Sequence, residues 1–150
     1  MTSEKKNETS NENSRYQNLH FAGIGASAGG LEALEALLKA LPDNTGISFI
    51  VVQHLSPDYK SMMVELLSRK TTMQVIQIED GMFAQPNCIY LVPPKKNLEI
   101  FHSRLYLTEQ IRDSGLNLPI DIFFRSLAAD QGKNAIGIIL SGTGSDGALG

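Results

Sequence analysis

The stretch Phe21-Ala22-Gly23-Ile24-Gly25-Ala26-Ser27-Ala28-Gly29-Gly30 restricts the fold more than any other part of the chain. It reads as a short apolar strand, a tight turn and the start of a helix at Leu31. Gly25-Ala26-Ser27-Ala28-Gly29 also fits G-x-S-x-G, the pattern that lifts a serine hydroxyl clear of a strand-to-helix turn. The glycines are expected to supply unusual backbone angles and to leave room for a substrate carbonyl. The N-terminus of the helix supplies unpaired N–H groups and a positive dipole end, which suit a developing oxyanion. Two plainer readings compete. Gly23, Gly25 and Gly29 nearly spell a dinucleotide fingerprint, with one residue too many before the last glycine, or the glycines merely make a tight turn.

The rest of the chain alternates strand and helix. Residues Leu31, Leu34, Leu37, Leu38 and Leu41 recur at helical spacing, and Pro42 ends that helix. Ile47 to Val52 is almost continuously apolar, as a central parallel strand covered on both faces would be. Ser56-Pro57 opens a second helix whose buried stripe is read as Tyr59, Met62, Met63, Leu66 and Leu67. Met73 to Ile78 and Cys88 to Val92 are strands. Leu98 to Phe101 and Leu105 to Leu107 make a hairpin that turns at His102-Ser103-Arg104. Pro119 opens a third helix with Ile120, Phe123, Phe124, Leu127 and Ala128 on one face, and Ala135 to Leu140 is read as a final buried strand. The expected architecture is α/β: a doubly wound, mainly parallel sheet with helices on both faces, Rossmann-like and three-layered, carrying a β-hairpin.

Composition narrows the function classes. A chain of 150 residues suits one domain, and 42% hydrophobic with 19% charged residues is ordinary for a globular protein. A net charge of −3 argues against nucleic-acid binding, which needs a basic face. Cys88 is the only cysteine, so no internal disulfide and no cysteine metal cluster is expected. No apolar run reaches membrane-span length, so direct membrane insertion is not expected, and the polar N-terminus is not a secretory signal. The cytoplasm is the expected location. Residues 1–18, rich in Ser, Thr, Asn, Glu and Lys, read as a disordered leader, and residues 19–150 as one domain.

Three chemistry-bearing residues fall just beyond the C-terminal ends of apolar strands: Ser27 after the first, His54 after the second, and Asp146 in the Gly-rich loop after the last. Ligands of open α/β sheets bind at that edge. A nucleophile, an imidazole and a carboxylate gathered there meet the needs of acyl transfer. His54 would accept the serine proton and return it to the leaving group, and Asp146 would orient His54. His20, at a strand start, and His102, in a turn, have no such placement. The second strand ends in Gln53-His54 where a dinucleotide fold would want an acid for the ribose. The order Ser, His, Asp also differs from the α/β-hydrolase order.

Gly25-Ala26-Ser27-Ala28-Gly29-Gly30, Gln53-His54-Leu55 and Gly142-Thr143-Gly144-Ser145-Asp146-Gly147 together resemble the catalytic domain of the bacterial chemotaxis protein-glutamate methylesterases (CheB). Glu79-Asp80-Gly81, Tyr90-Leu91-Val92-Pro93 and Pro119-Ile120-Asp121-Ile122-Phe123-Phe124 fall in the expected order between them. The likeness runs from about Leu19 to Gly150. It implies hydrolysis of glutamate methyl esters on chemoreceptor cytoplasmic helices with release of methanol, and in some members deamidation of receptor glutamines. It further implies a Ser27–His54–Asp146 triad, backbone oxyanion donors at Ala28 and Thr143, and no metal or cofactor. Departures from the family pattern fall at Ala28, commonly Thr, at Thr143, commonly Met, and at Ile120, often Ser.

Family members commonly carry an upstream receiver domain, and here about twenty residues precede the first strand. The expectation is a domain like that of hybrid sensor proteins, with methyltransferase and sensor partners fused or separate. The family domain continues past the position of Gly150, so truncation at the C-terminal end is expected as well. Two other functions compete: a non-catalytic docking or regulatory module with the same fold, and a nucleotide-phosphate binder using the glycine loop.

Overall fold

A computed structural model of the chain describes residues 18–27, 29–53, 62–111, 118–140 and 147. Its elements are β1 (His20–Ala26), α1 (Leu31–Ala40), β2 (Ile47–Gln53), α2 (Met63–Ser68), β3 (Gln74–Gln77), β4 (Cys88–Leu91), β5 (Lys96–Phe101), β6 (Arg104–Glu109), α3 (Pro119–Gln131) and β7 (Ala135–Leu140). A single 3-10 turn, Gly132–Asn134, joins α3 to β7.

Among the described residues five strands form one sheet in the order β3-β4-β2-β1-β7, and every pairing in it is parallel. From β1 the chain adds β2 on one side, goes on to the edge strand β3, inserts β4 between β3 and β2, and later returns to place β7 on the other side of β1. That reversal makes the carboxyl end of β1 the topological switch point of the sheet. Strands β5 and β6 pair antiparallel as a separate hairpin.

The two faces of the sheet are covered differently. On one, Leu34 and Leu38 of α1 and Met63 and Leu67 of α2 pack on Ala22, Ile24, Phe49, Val51 and Ile89. On the other, Phe123, Phe124 and Leu127 of α3, joined by Leu98, Ile100 and Leu105 of the hairpin, cover Phe21, Ile50, Val52 and Tyr90. Successive strand residues alternate between these faces, and both are apolar, so the central strands had to read as unbroken hydrophobic runs.

The hairpin replaces a second helix on the α3 face and is fixed to α3 by polar contacts. The Ser126 hydroxyl accepts from the Ile100 N–H (2.7 Å) and donates to the Ile100 carbonyl (3.1 Å). The N–H groups of His102 and Ser103 donate to the two carboxylate oxygens of Asp130 at 2.7 and 3.0 Å. His102 (φ 50°) and Ser103 (φ 61°) are both left-handed, as a two-residue hairpin turn requires. Asp130 thus binds the amides of two residues that lack the glycine such turns prefer. Arg104 belongs to β6, not to the turn, and stacks on Phe83 at 4.0 Å from the ring centre while donating to the Gly81 carbonyl. Lys96 and Glu109 pair across the open end of the hairpin.

Three readings of individual residues are corrected. Met62, placed in the buried stripe of the second helix, is 61% exposed; it precedes the first turn of α2, whose buried residues are Met63 and Leu67. Ala128 is exposed because the buried face of α3 centres on Phe123, Phe124 and Leu127, whereas Asp121, in its first turn, is buried. β7 is not a buried strand: among the described residues it pairs with β1 alone, and Ile136 and Ile139 are 42% and 48% exposed. The expected helix start at Ser56-Pro57, the side chain of Tyr59 and the leader up to Gln17 lie outside the described residues.

Candidate active site

β1 carries the serine turn, and its sequence explains how. Ala22, Ile24 and Ala26 face the α1 side and are fully buried. Gly23 and Gly25 face α3, where a side chain has no room. A Cβ on Gly23 would lie 3.0 Å from the Phe123 ring, and one on Gly25 would lie 2.6 Å from Ile120 Cγ2. The glycines of β1 therefore serve close packing of α3 on the strand, not special backbone angles. Neither Gly25 nor Gly29 has a positive φ, which corrects that expectation, and Gly29 opens onto free space.

Ser27 follows the last residue of β1 and is partly buried. Its carbonyl accepts the Gly30 N–H at 2.8 Å, closing the turn into α1. Gly30 is the N-cap of α1, and a Cβ there would meet Ala26 Cβ at 2.9 Å, the Ser27 carbonyl at 3.0 Å and the Leu140 carbonyl at 3.2 Å. Only glycine lets the helix begin this close to the strand ends. As a glycine, this N-cap has no side chain with which to cap the first turn of α1.

Register places that edge. Ala26 pairs with Gln53 on one side and with Leu140 on the other. Three strands therefore end level, with Ser27 leaving the middle one. The switch point of the sheet, the start of α1 and the serine coincide there. Of the residues singled out from sequence, Ser27 is described. Ala28, His54, Thr143 and Asp146 lie outside the described residues; Gln53 directly precedes His54, and Gly147 directly follows Asp146.

Sequence reasoning missed three features of this edge. Ile120, in the first turn of α3, packs against both Gly25 and Gly147. Ile139 of β7 reaches the same two glycines. Among the described residues the buried Gln53 side-chain nitrogen has no hydrogen-bond partner, and it lies beside a cavity of about 20 Å³ lined by Met63, Gln77, Leu91 and Pro93. No local sequence signal marks these contacts, since each joins residues far apart in the chain. Among the described residues no cluster of His, Cys, Asp and Glu has the makings of a metal site, and Cys88 is buried and unbridged. Among them, too, no helix is long and apolar enough to cross a membrane.

Fold and site together define an open, parallel α/β domain with a serine-bearing strand-to-helix turn at its ligand-binding edge. Comparison with known proteins narrows this to one family. The family description "CheB methylesterase" matches residues 22–150. A protein-glutamate methylesterase/protein-glutamine glutaminase of Yersinia pestis bv. Antiqua is 37% identical over 131 residues, covering 85% of this chain and 37% of the relative. A protein of the same name from Salmonella typhi is 35% identical over the same length and coverage. The crystal structure of the Thermotoga maritima CheB methylesterase catalytic domain superimposes with a TM-score of 0.75 at 25% identity, covering 87% of this chain and 71% of that one. The chain belongs to the CheB methylesterase family and has the fold of its catalytic domain. It spans 37% of the length of the curated relatives it matches.

Proposed function

We propose that this chain hydrolyses the methyl esters of glutamate side chains on the cytoplasmic helices of chemoreceptors, as a serine hydrolase working in the cytoplasm. The observation that carries the reading is the position of Ser27: it leaves the middle of three strands that end level, at the switch point of the sheet, in a chain of this family.

In the proposed mechanism the Ser27 hydroxyl oxygen attacks the ester carbonyl carbon while His54 takes its proton. Asp146 holds His54 in the tautomer that accepts this proton and steadies the imidazolium. The tetrahedral oxyanion is met by backbone N–H groups at Ala28 and Thr143. Collapse breaks the bond from carbon to the methoxy oxygen, and His54 returns the proton so that methanol leaves. Water then attacks the acyl-serine, giving its proton to His54, and collapse releases the glutamate and the serine hydroxyl. Deamidation of a receptor glutamine would follow the same steps with ammonia as the leaving group. The relatives' name pairs the two activities, which supports both on one site. Chain continuity supports the assignment: His54 directly follows Gln53, the partner of Ala26, and Asp146 directly precedes Gly147, which packs on residues that also touch Gly25. We assign the catalytic domain to residues 19–150, working with receptor-signalling domains on the same or a separate polypeptide.

Methanol release from a methylated chemoreceptor fragment tests this. The protein should release methanol, and Ser27→Ala should lower kcat by about 10³- to 10⁶-fold, as loss of a triad nucleophile does. Equal release by both proteins would remove Ser27 from the chemistry. No release by either would favour a docking module.

A further inference from the structure

The apolar wedge at the start of α3 has a role beyond filling the core. We propose that Ile120 is a positioning residue that sets the spacing between the strand carrying the nucleophile and the turn following the acid; this rests on the functional reading above. Its side chain is 3% exposed and touches both backbones. A Cβ on Gly25 would lie 2.6 Å from Ile120 Cγ2 and 3.0 Å from its Cδ1. A Cβ on Gly147 would lie 2.9 Å from the same Cγ2, and 2.4 Å from Cδ1 of Ile139. One methyl group therefore bears on two glycines from opposite ends of the sequence. Gly25 stands two residues before Ser27, and Gly147 stands one after Asp146.

The wedge is built to be stiff. Isoleucine is branched at Cβ and keeps essentially one χ1 rotamer in a helix, so its Cγ2 is held at a defined point. Pro119 presets the first turn beneath it, and the Ile122 N–H donates to the Leu118 carbonyl at 3.0 Å. Both glycines lack a Cβ at the contact, so backbone meets methyl with nothing flexible between. Ile139 Cδ1, 3.1 Å from a Cβ on Gly25, closes the other side of the same contact. A spacer of this kind fixes how closely the two segments approach. Catalysis by a serine and an acid on separate segments is sensitive to that, since a misplacement of about 1 Å can cost about 100-fold in rate.

The experiment is a substitution series at Ile120 read by kcat, KM and the urea unfolding midpoint, with the methylated chemoreceptor fragment as substrate. Ile120→Val keeps Cγ2 and should retain kcat within about threefold, whereas Ile120→Leu keeps volume but not the Cβ branch and should lose about 10-fold or more. Ile120→Ala should lose about 10- to 100-fold in kcat with KM little changed, because the substrate surface is untouched. Gly25→Ala should be rescued in both stability and rate by Ile120→Ala, which clears the space its methyl needs. Leu and Val variants of equal rate, or an Ile120→Ala of unchanged kcat, would overturn the positioning role and leave the functional reading standing. Additivity of Gly25→Ala and Ile120→Ala in unfolding would overturn the wedge itself. No methanol from the unsubstituted protein would sink the functional reading, and the positioning role with it.

Discussion

The two ends of α3 meet the rest of the molecule through different contacts. At its C-terminal half, Ser126, Asp130 and Gln131 bind the β5–β6 hairpin through hydrogen bonds to Ile100, His102 and Ser103. At its N-terminal end, the methyl groups of Ile120 meet the bare backbones of Gly25 and Gly147. Hydrogen bonds fix direction and partner, and they suit a turn whose two left-handed residues need their amides satisfied. Close apolar contact fixes distance, and it suits an edge where segments must be spaced for chemistry. One helix thus splits into a tethering end and a spacing end, with Phe123 and Leu127 on Gly23 between them.

Substitutions along α3 sharpen the contrast. The largest loss of stability is expected in the middle. Phe123, with no exposed surface, bridges both halves, and Phe123→Ala should cost about 3–5 kcal/mol in urea unfolding. Next comes the tethering end. Asp130→Ala leaves two amides of a strained turn without their acceptor and should cost about 1–3 kcal/mol, with kcat unchanged, because the hairpin turn lies away from Ser27. A fall in kcat there without a fall in stability would contradict the division. The spacing end should behave in reverse, as set out for Ile120.

Much of this was legible in sequence, for identifiable reasons. The central strands announced themselves because burial on both faces demands unbroken apolar runs, as in Ile47 to Val52. The serine turn was legible because G-x-S-x-G marks it, although its first glycine proved to be there for packing against Ile120. β1 runs on through Gly25 and Ala26, which carry little strand propensity but pair with both neighbours. The hairpin strands were read short because Lys96, Asn97, Thr108 and Glu109 look like loop residues, yet they pair in register. Apolarity could not show that β7 lies half-exposed, since Ile136 and Ile139 look the same on an edge as in a core. The wedge at Ile120 was invisible because it joins residues 25, 120 and 147, and no local pattern encodes a contact across such separations.

The central claim is that Ser27 at the level strand ends is the nucleophile. The most direct test is to treat the protein with a fluorophosphonate serine probe and map the adduct by mass spectrometry, before and after urea unfolding. The account predicts one adduct, on the peptide containing Ser27, that forms in the folded protein and is lost on unfolding and in Ser27→Ala. An adduct on another serine, or labelling that spreads evenly over the serines, would contradict it.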